Sequence, residues 1–429
     1  MQTDVEVLVV GAGPAGIGAG LALCERALVV DGATEVGGLA RTVDLEGAIL
    51  DFGGHSFHTP HPDVRARVFD ALPMEEAKRD AWCLVDGAWI PYPFQRHFVR
   101  HPDARLVESC RAGLAAARPA DNASDFDAYL DARFGTGIAA AFMKPYNRKL
   151  WGDDLARMSA MWTAERVAAP AGVAEHFDPS DGQRKPLHDD TVVAYPARGG
   201  FGEIFAALAR RLPRLSLGCE IAAIDPRSRT ATARDGRRFR YRDLVSTLPL
   251  PGLLERIAGV PPELLHAVAR LEAMPLTLAM FAVEGSPATT RQRVYVADAG
   301  FPGHKIVLNG NSSRWLASRA RHGIVAEVSQ ASADRAGGQL LDRVAEGLCR
   351  TGLVGDPRRI VARRAVRLPL GYPVPTHERP AIVVQAKAWL APRGIHTLGR
   401  FGEWDYINAD EALRRGLHWP ADVPAATAD

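Results

Sequence analysis

An α/β fold built around a Rossmann-type dinucleotide-binding unit follows from three features of this sequence. Val5-Glu6-Val7-Leu8-Val9-Val10 has the length and apolar character of a buried strand. Gly11-Ala12-Gly13-Pro14-Ala15-Gly16 comes directly after it and opens a helix expected from Ala15 to Glu25. A second apolar strand, Ala27 to Val30, then ends on Asp31. The three glycines serve different ends. Gly11 permits a tight turn, Gly13 lets backbone approach a pyrophosphate, and Gly16 lets helix and strand pack closely. The first helical turn adds free N–H groups and the positive end of a dipole. Asp31 stands where a carboxylate accepts ribose hydroxyls. A GxGxxG match alone is weak; strand, helix and acid in the right order make it specific.

Composition narrows the remaining classes. With 429 residues, 47% of them hydrophobic, the chain can bury a large core and suits two or three structural units. The 52 basic residues nearly balance 50 acidic ones without a polybasic tract, so neither nucleic acid nor a membrane surface is an expected partner. The five cysteines are scattered and form no CxxC pair, so no metal site and no disulfide framework are expected. No apolar run reaches the ~20 residues of a membrane span, and the expected location is cytoplasmic.

Farther along, an alanine- and leucine-rich stretch from Leu106 to Met158 predicts helices broken by polar turns, followed by an irregular polar passage over Asp178 to Pro186. Phe205, Leu208 and Leu212 mark one face of a helix over 201–212. Two alternating strands flank the Asp235-Gly236 turn, and Asp243 to Pro249 reads as a further buried strand. Residues 274–385 mix strands with a helix near Gln339 to Cys349, and a short amphipathic helix ends at Leu417. The expected organisation is a discontinuous nucleotide-binding domain (1–85, 190–265 and 385–429). It carries a mainly helical insertion (86–189) and an antiparallel-sheet substrate domain (266–384).

Beyond the second strand come motifs of a different kind. Glu35-Val36-Gly37-Gly38-Leu39-Ala40-Arg41 resembles the FAD-binding signature of the amine-oxidase and UDP-galactopyranose mutase superfamily. Asp51-Phe52-Gly53-Gly54-His55-Ser56 is similar to the loop that lies against the flavin in the mutases, and Trp89-Ile90-Pro91-Tyr92-Pro93-Phe94-Gln95 to their uracil-binding segment. Phe142 to Trp151, Glu165 to Pro170, Tyr195 to Gly200, Gly371 to Pro375 and Gly399 to Tyr406 continue the resemblance in family order. It therefore spans nearly the whole chain and is closer to the eukaryote-type branch. Tyr92, Phe94, Phe142 and Trp151, taken singly, read equally well as core aromatics. Arg166 and Arg400 taken singly read as surface ion-pair partners. Joint occurrence in one order is what weighs.

The resemblance implies FAD, functional in its reduced form with NADPH or NADH as reductant, and a nucleotide-sugar substrate. The implied reaction interconverts pyranose and furanose forms without net oxidation, the nucleoside diphosphate being displaced from the anomeric carbon by N5 of reduced FAD. It assigns catalytic roles to Gly54, His55, Arg166 and Arg400. Tyr92, Phe94, Gln95, Phe142 and Asn147 would bind the base, Trp151 and Tyr295 would wall the nucleotide, and Lys305, Tyr372 and Tyr406 would meet the rest of the substrate. Gly11, Gly13, Gly16, Asp31, Gly38, Arg41, Ile221, Gly402 and Asp410 would hold the cofactor. Two departures concern the substrate side. Lys305 stands where the eukaryote-type family has a mobile arginine, and the asparagine expected before Tyr195 is replaced by Asp189 and Asp190 nearby. Lysine keeps the charge but loses the bidentate fork. An FAD oxidase or dehydrogenase acting on another metabolite is the alternative, because a fold does not fix a function; a non-catalytic flavin or nucleotide-sugar binder is the third.

Overall fold

A computed structural model describes residues 2–117, 123–163, 166–170 and 190–419. Two seven-stranded sheets organise them. In the first, strand Gln2–Val10 lies between Ala27–Val30 and Arg238–Ser246, all parallel, and Ile395–Thr397 extends the parallel set. Helix Pro14–Leu23 returns the chain from the first strand to the second, which completes the expected βαβ unit.

Arg238–Ser246 is one continuous strand, where the sequence pattern suggested two, the second over Asp243 to Pro249. Its early residues alternate between exposed and buried because they pair with the antiparallel strand Thr230–Ala233 at an open face. Its last three residues are buried outright where parallel neighbours flank both edges. One strand thus carries both signatures. The polar passage over 178–186 lies outside the described residues.

The second sheet is antiparallel at every pairing but one. Strand Ala273–Glu284 pairs with Ile360–Pro373 on one side and Arg321–Ser329 on the other. Lys305–Leu308 and Arg293–Val296 follow, and Arg293–Val296 pairs in parallel with Ala81–Val85. Ala81–Val85 and its hairpin mate Ala88–Pro91 come from outside the 266–384 span expected to build this sheet. By pairing with Arg293–Val296 they move the open edge of the sheet out to the short strand Ala88–Pro91.

Against one face of this sheet pack helices Ala104–Ala116, Phe126–Ile138 and Lys144–Trp151. Phe94, Phe126, Phe134 and Trp151 are fully buried among them. Elsewhere, helix Ala409–Leu417 lies on Pro14–Leu23 at backbone contact. A Cβ on Gly416 would fall 2.1 Å from the Ala15 carbonyl oxygen, and one on Gly18 2.4 Å from that of Leu413. None of the described helices is long and apolar enough to cross a membrane.

Candidate active site

The glycine loop behaves as its spacing predicts. Gly11 adopts φ +109°, and a Cβ there would strike the Thr247 hydroxyl. A Cβ on Gly16 would collide with the Gly11 carbonyl, whereas the space before Gly13 is open. Gly13 caps the helix without a side-chain acceptor, so the first N–H groups of that turn are left for a ligand. The Asp31 carboxylate receives the N–H groups of Ala12 (2.6 Å) and Ala33 (2.8 Å), which ties the turn to the second strand. Gly38 packs on Gly13, and Arg41 lies over the Phe52 ring with its buried Nε unpartnered. Gly402 approaches the Ser246 carbonyl. Ile221 is buried in an edge strand of the first sheet; two residues earlier, Cys219 donates to the Asp31 carbonyl. These features fit FAD: an open, uncapped helix start, an acid beside it, and Gly38 close against Gly13.

A cavity of about 270 Å³ is lined by Gly54, His55, Tyr92, Gln95, Phe142, Asn147, Trp151, Arg166, Tyr295, Lys305, Tyr372, Arg400, Tyr406 and Asp410. Most of the residues assigned by resemblance therefore meet in one place. Phe94 does not line the cavity. It is fully buried and stacks on Phe142 at 5.2 Å, supporting a wall instead of forming one. Asp189 lies outside the described residues, and Asp190 is exposed in a turn.

Aromatic rings build the cavity walls. Tyr92 stacks on Tyr295 (4.7 Å), and Trp151, Tyr372 and Tyr406 meet edge to face at 5.2 to 5.9 Å. The cations rest against these rings. Arg166 lies 4.5 Å from the Tyr406 centroid and donates to Asn408 (2.6 Å) and the Tyr406 carbonyl. Arg400 lies 5.5 Å from Tyr372 and donates to the Ile407 carbonyl at 2.7 Å. Two guanidinium groups thus flank one tyrosine pair.

Sequence reasoning missed the group that joins the two halves. Glu327 is 1% exposed and accepts from Gly54 N–H (2.7 Å), Tyr372 hydroxyl (3.0 Å) and Lys305 (2.8 Å). Burial acts to raise its pKa, but Lys305 and His304 hold it well below the carboxylate range. Lys305, expected as a stand-in for a mobile arginine, instead begins a strand and is clamped by this carboxylate. The visible signal was a single acid in the apolar run Ile324-Val325-Ala326-Glu327-Val328. Arg293 and Arg79 were also missed: Arg293 donates to the Gly54 carbonyl (3.2 Å), and Arg79 to the Tyr295 hydroxyl (2.5 Å).

His55 stacks on Phe201 at 4.9 Å, and its buried Nδ1 has no partner. Burial, with Arg400, Lys305 and Arg293 nearby, pushes its pKa down to about 3, so the ring is neutral. The unfolded chain takes up a proton here below about pH 6.5, and the folded chain does not. Stability therefore falls as the medium is acidified through that value, by about 2 kcal/mol at pH 5. In His55→Gln the loss between pH 7 and pH 5, read by urea denaturation, is expected to be smaller by that amount. Equal losses in both proteins would mean a protonated ring.

Residues 15–350 match the flavin-containing amine oxidoreductase family. Among solved structures, a reduced UDP-galactopyranose mutase superposes with TM-score 0.87 at 26% identity, over 96% of this chain and 92% of that one. Cyclohexylamine oxidase from Brevibacterium oxydans IH-35A gives TM-score 0.69 at 16% identity, over 96% and 97% of the two chains. A CLA-producing fatty acid isomerase from P. acnes gives TM-score 0.65 at 15% identity, over 96% and 97%. The last two likenesses speak for the fold alone. With its glycine loop, its uncapped helix start and a match over most of its length, this chain belongs to the flavin-containing amine oxidoreductase family, whose enzymes work on FAD.

Proposed function

We propose that the protein is a flavin-dependent nucleotide-sugar pyranose/furanose mutase of the UDP-galactopyranose mutase kind, on the eukaryote-type branch. One observation carries the reading: the sign of the cavity. Arg166, Arg293, Lys305 and Arg400 line it against the carboxylates of Glu327 and Asp410. An amine substrate is itself a cation near neutral pH and would be repelled. A diphosphate matches both the charge and the planar donor geometry of arginine.

When bound, reduced FAD supplies a nucleophilic nitrogen for the anomeric carbon. The protein's own groups do the rest. Arg166 and Arg400 receive the departing diphosphate, and Tyr406 is the neighbouring hydroxyl donor where negative charge grows, while Tyr372, whose proton goes to Glu327, backs Arg400 with its ring. Tyr92, Gln95, Phe142, Asn147 and Tyr295 enclose the base, and Trp151 closes the wall between base and diphosphate. Neutral His55 can donate or accept a hydrogen bond without adding charge beside the cofactor. Glu327 sets the height of the Gly53-Gly54 turn, because it holds the Gly54 N–H on one side and Lys305 on the other.

The test is an NMR assay of dithionite- or NADPH-reduced enzyme with a panel of nucleotide-hexoses and nucleotide-pentoses. Furanose and pyranose forms are expected to interconvert only after reduction, without stoichiometric oxygen uptake. Steady hydrogen peroxide production from an amine or alcohol, with no sugar turnover, would overturn the reading in favour of an oxidase. Ligand binding with neither activity would leave a binding protein.

A further inference from the structure

A second cavity, of about 680 Å³, lies behind the wall of the first and shares none of its lining residues. Helix Lys144–Trp151 separates the two by its periodicity. Tyr146, Asn147, Leu150 and Trp151 face the first cavity, while Pro145, Arg148 and Lys149 face the second. The strand-to-strand connection does the same: Tyr295, His304 and Lys305 line the first cavity, and residues 297 and 299–302 line the second.

Four arginines, Arg148, Arg335, Arg343 and Arg350, face this second space together with Lys149, against Asp153 and Glu346. The four arginines alone outnumber the two carboxylates by two, as much as the net charge of +2 on the whole chain. Among the described residues, ion pairs do not use up these cations. Lys149 donates to the carbonyls of Asp298 (2.8 Å) and Val296 (3.3 Å), Arg335 to the Ser332 hydroxyl (2.9 Å), and Arg350 to the Gly300 carbonyl (3.3 Å). Arg148 reaches Asp127 only at 3.5 Å. Burial pushes the Lys149 ammonium down to about 7 against the pull of Asp298, with Arg335 adding to the fall, so the arginines carry most of the positive charge here. The apolar part of the wall is firm, since helix Leu340–Arg350 meets Phe301 so closely that a Cβ on Gly347 would fall 2.4 Å from its ring.

We propose that this basic cavity is a second anion site, which takes a small phosphate-bearing molecule with two or more negative charges. A concave surface of one sign concentrates counter-ions, and arginine forks suit phosphate oxygens. The site is separate from the substrate cavity, and its occupant would rest on the turn between Tyr295 and Lys305.

Isothermal titration calorimetry of the flavin-loaded full chain counts the sites, with inorganic pyrophosphate in one arm and ADP in the other. Two equivalents of pyrophosphate are expected per wild-type chain. Arg335→Glu/Arg343→Glu is expected to lose one of them, with at least a tenfold fall in its affinity, and Arg166→Ala to lose the other. Arg343→Ala, at an exposed position, provides the same comparison at lower risk to folding, with a smaller fall. Tighter ADP binding would mean that the site also accepts a nucleoside; tighter pyrophosphate binding would mean a free polyanion. The proposal is overturned if the double variant titrates like wild type, if a single wild-type site disappears in Arg166→Ala, or if neither probe binds. A single site lost in the double variant but kept in Arg166→Ala supports it and counts instead against the reading of the substrate cavity.

Discussion

Replacing Arg166 by alanine is expected to lower the turnover of the reduced enzyme by about a thousandfold while leaving flavin absorbance and melting temperature unchanged. Removing one preorganised donor at developing oxyanion charge costs roughly 10²–10³ in rate, and a charged donor belongs at the upper end. Arg166 rests on the Tyr406 ring and bonds to Asn408 and a carbonyl, and it shares the cavity with Arg400. Arg166→Lys is expected to recover only part of the rate, because an ammonium keeps the charge without the fork. Stopped-flow or NMR turnover beside a flavin spectrum checks this. A fall of less than tenfold in Arg166→Ala would remove the residue from the diphosphate site.

The second large effect concerns Glu327. Glu327→Gln leaves Lys305 buried beside a neutral amide, and breaking a buried pair in this way costs about 3–5 kcal/mol. Adding Lys305→Met is expected to return most of that stability, since the stranded charge goes with it. The sign with pH follows from the partners. The Glu327 pKa is depressed, so its stabilisation is complete above the unfolded carboxylate value of about 4.3 and drains away only as pH falls toward the folded one. The Lys305 pKa is raised, so its share is complete below the unfolded lysine value of about 10.4 and is lost only in strong alkali. Urea denaturation of the single and double variants at pH 7 measures the coupling. If the double variant is no more stable than Glu327→Gln, the two groups act independently.

How much of the molecule was legible in the sequence depends on how local each signal is. The glycine loop, Asp31 and the Gly37-Gly38 turn are encoded within about 30 consecutive residues, and their spacing alone predicts the geometry found. The arginines and tyrosines of the cavity became legible only as an ordered set, since each alone reads as core or surface. Glu327 escaped because its partners come from distant segments: Gly54 precedes it by 273 positions, and Tyr372 follows by 45. No periodicity registers a contact of that kind. Phe94 shows the opposite limit: the motif containing it lines the cavity, but the ring itself turns away to brace Phe142. The strand at Arg238–Ser246 reads as two from its residues because its neighbours change along its length.

The close seating of the helix at residues 409–417 on the helix that follows the glycine loop has a bearing on biosynthesis. A ribosome releases the first nucleotide-binding turn hundreds of residues before the segment that braces it, and before Arg400, Tyr406 and Asp410, which finish the cavity. During that interval the amino-terminal strands have no complete pocket to offer. Full-affinity cofactor capture is therefore expected only once this helix is in place, and a lesion that unseats it is expected to weaken flavin binding from a segment remote in sequence.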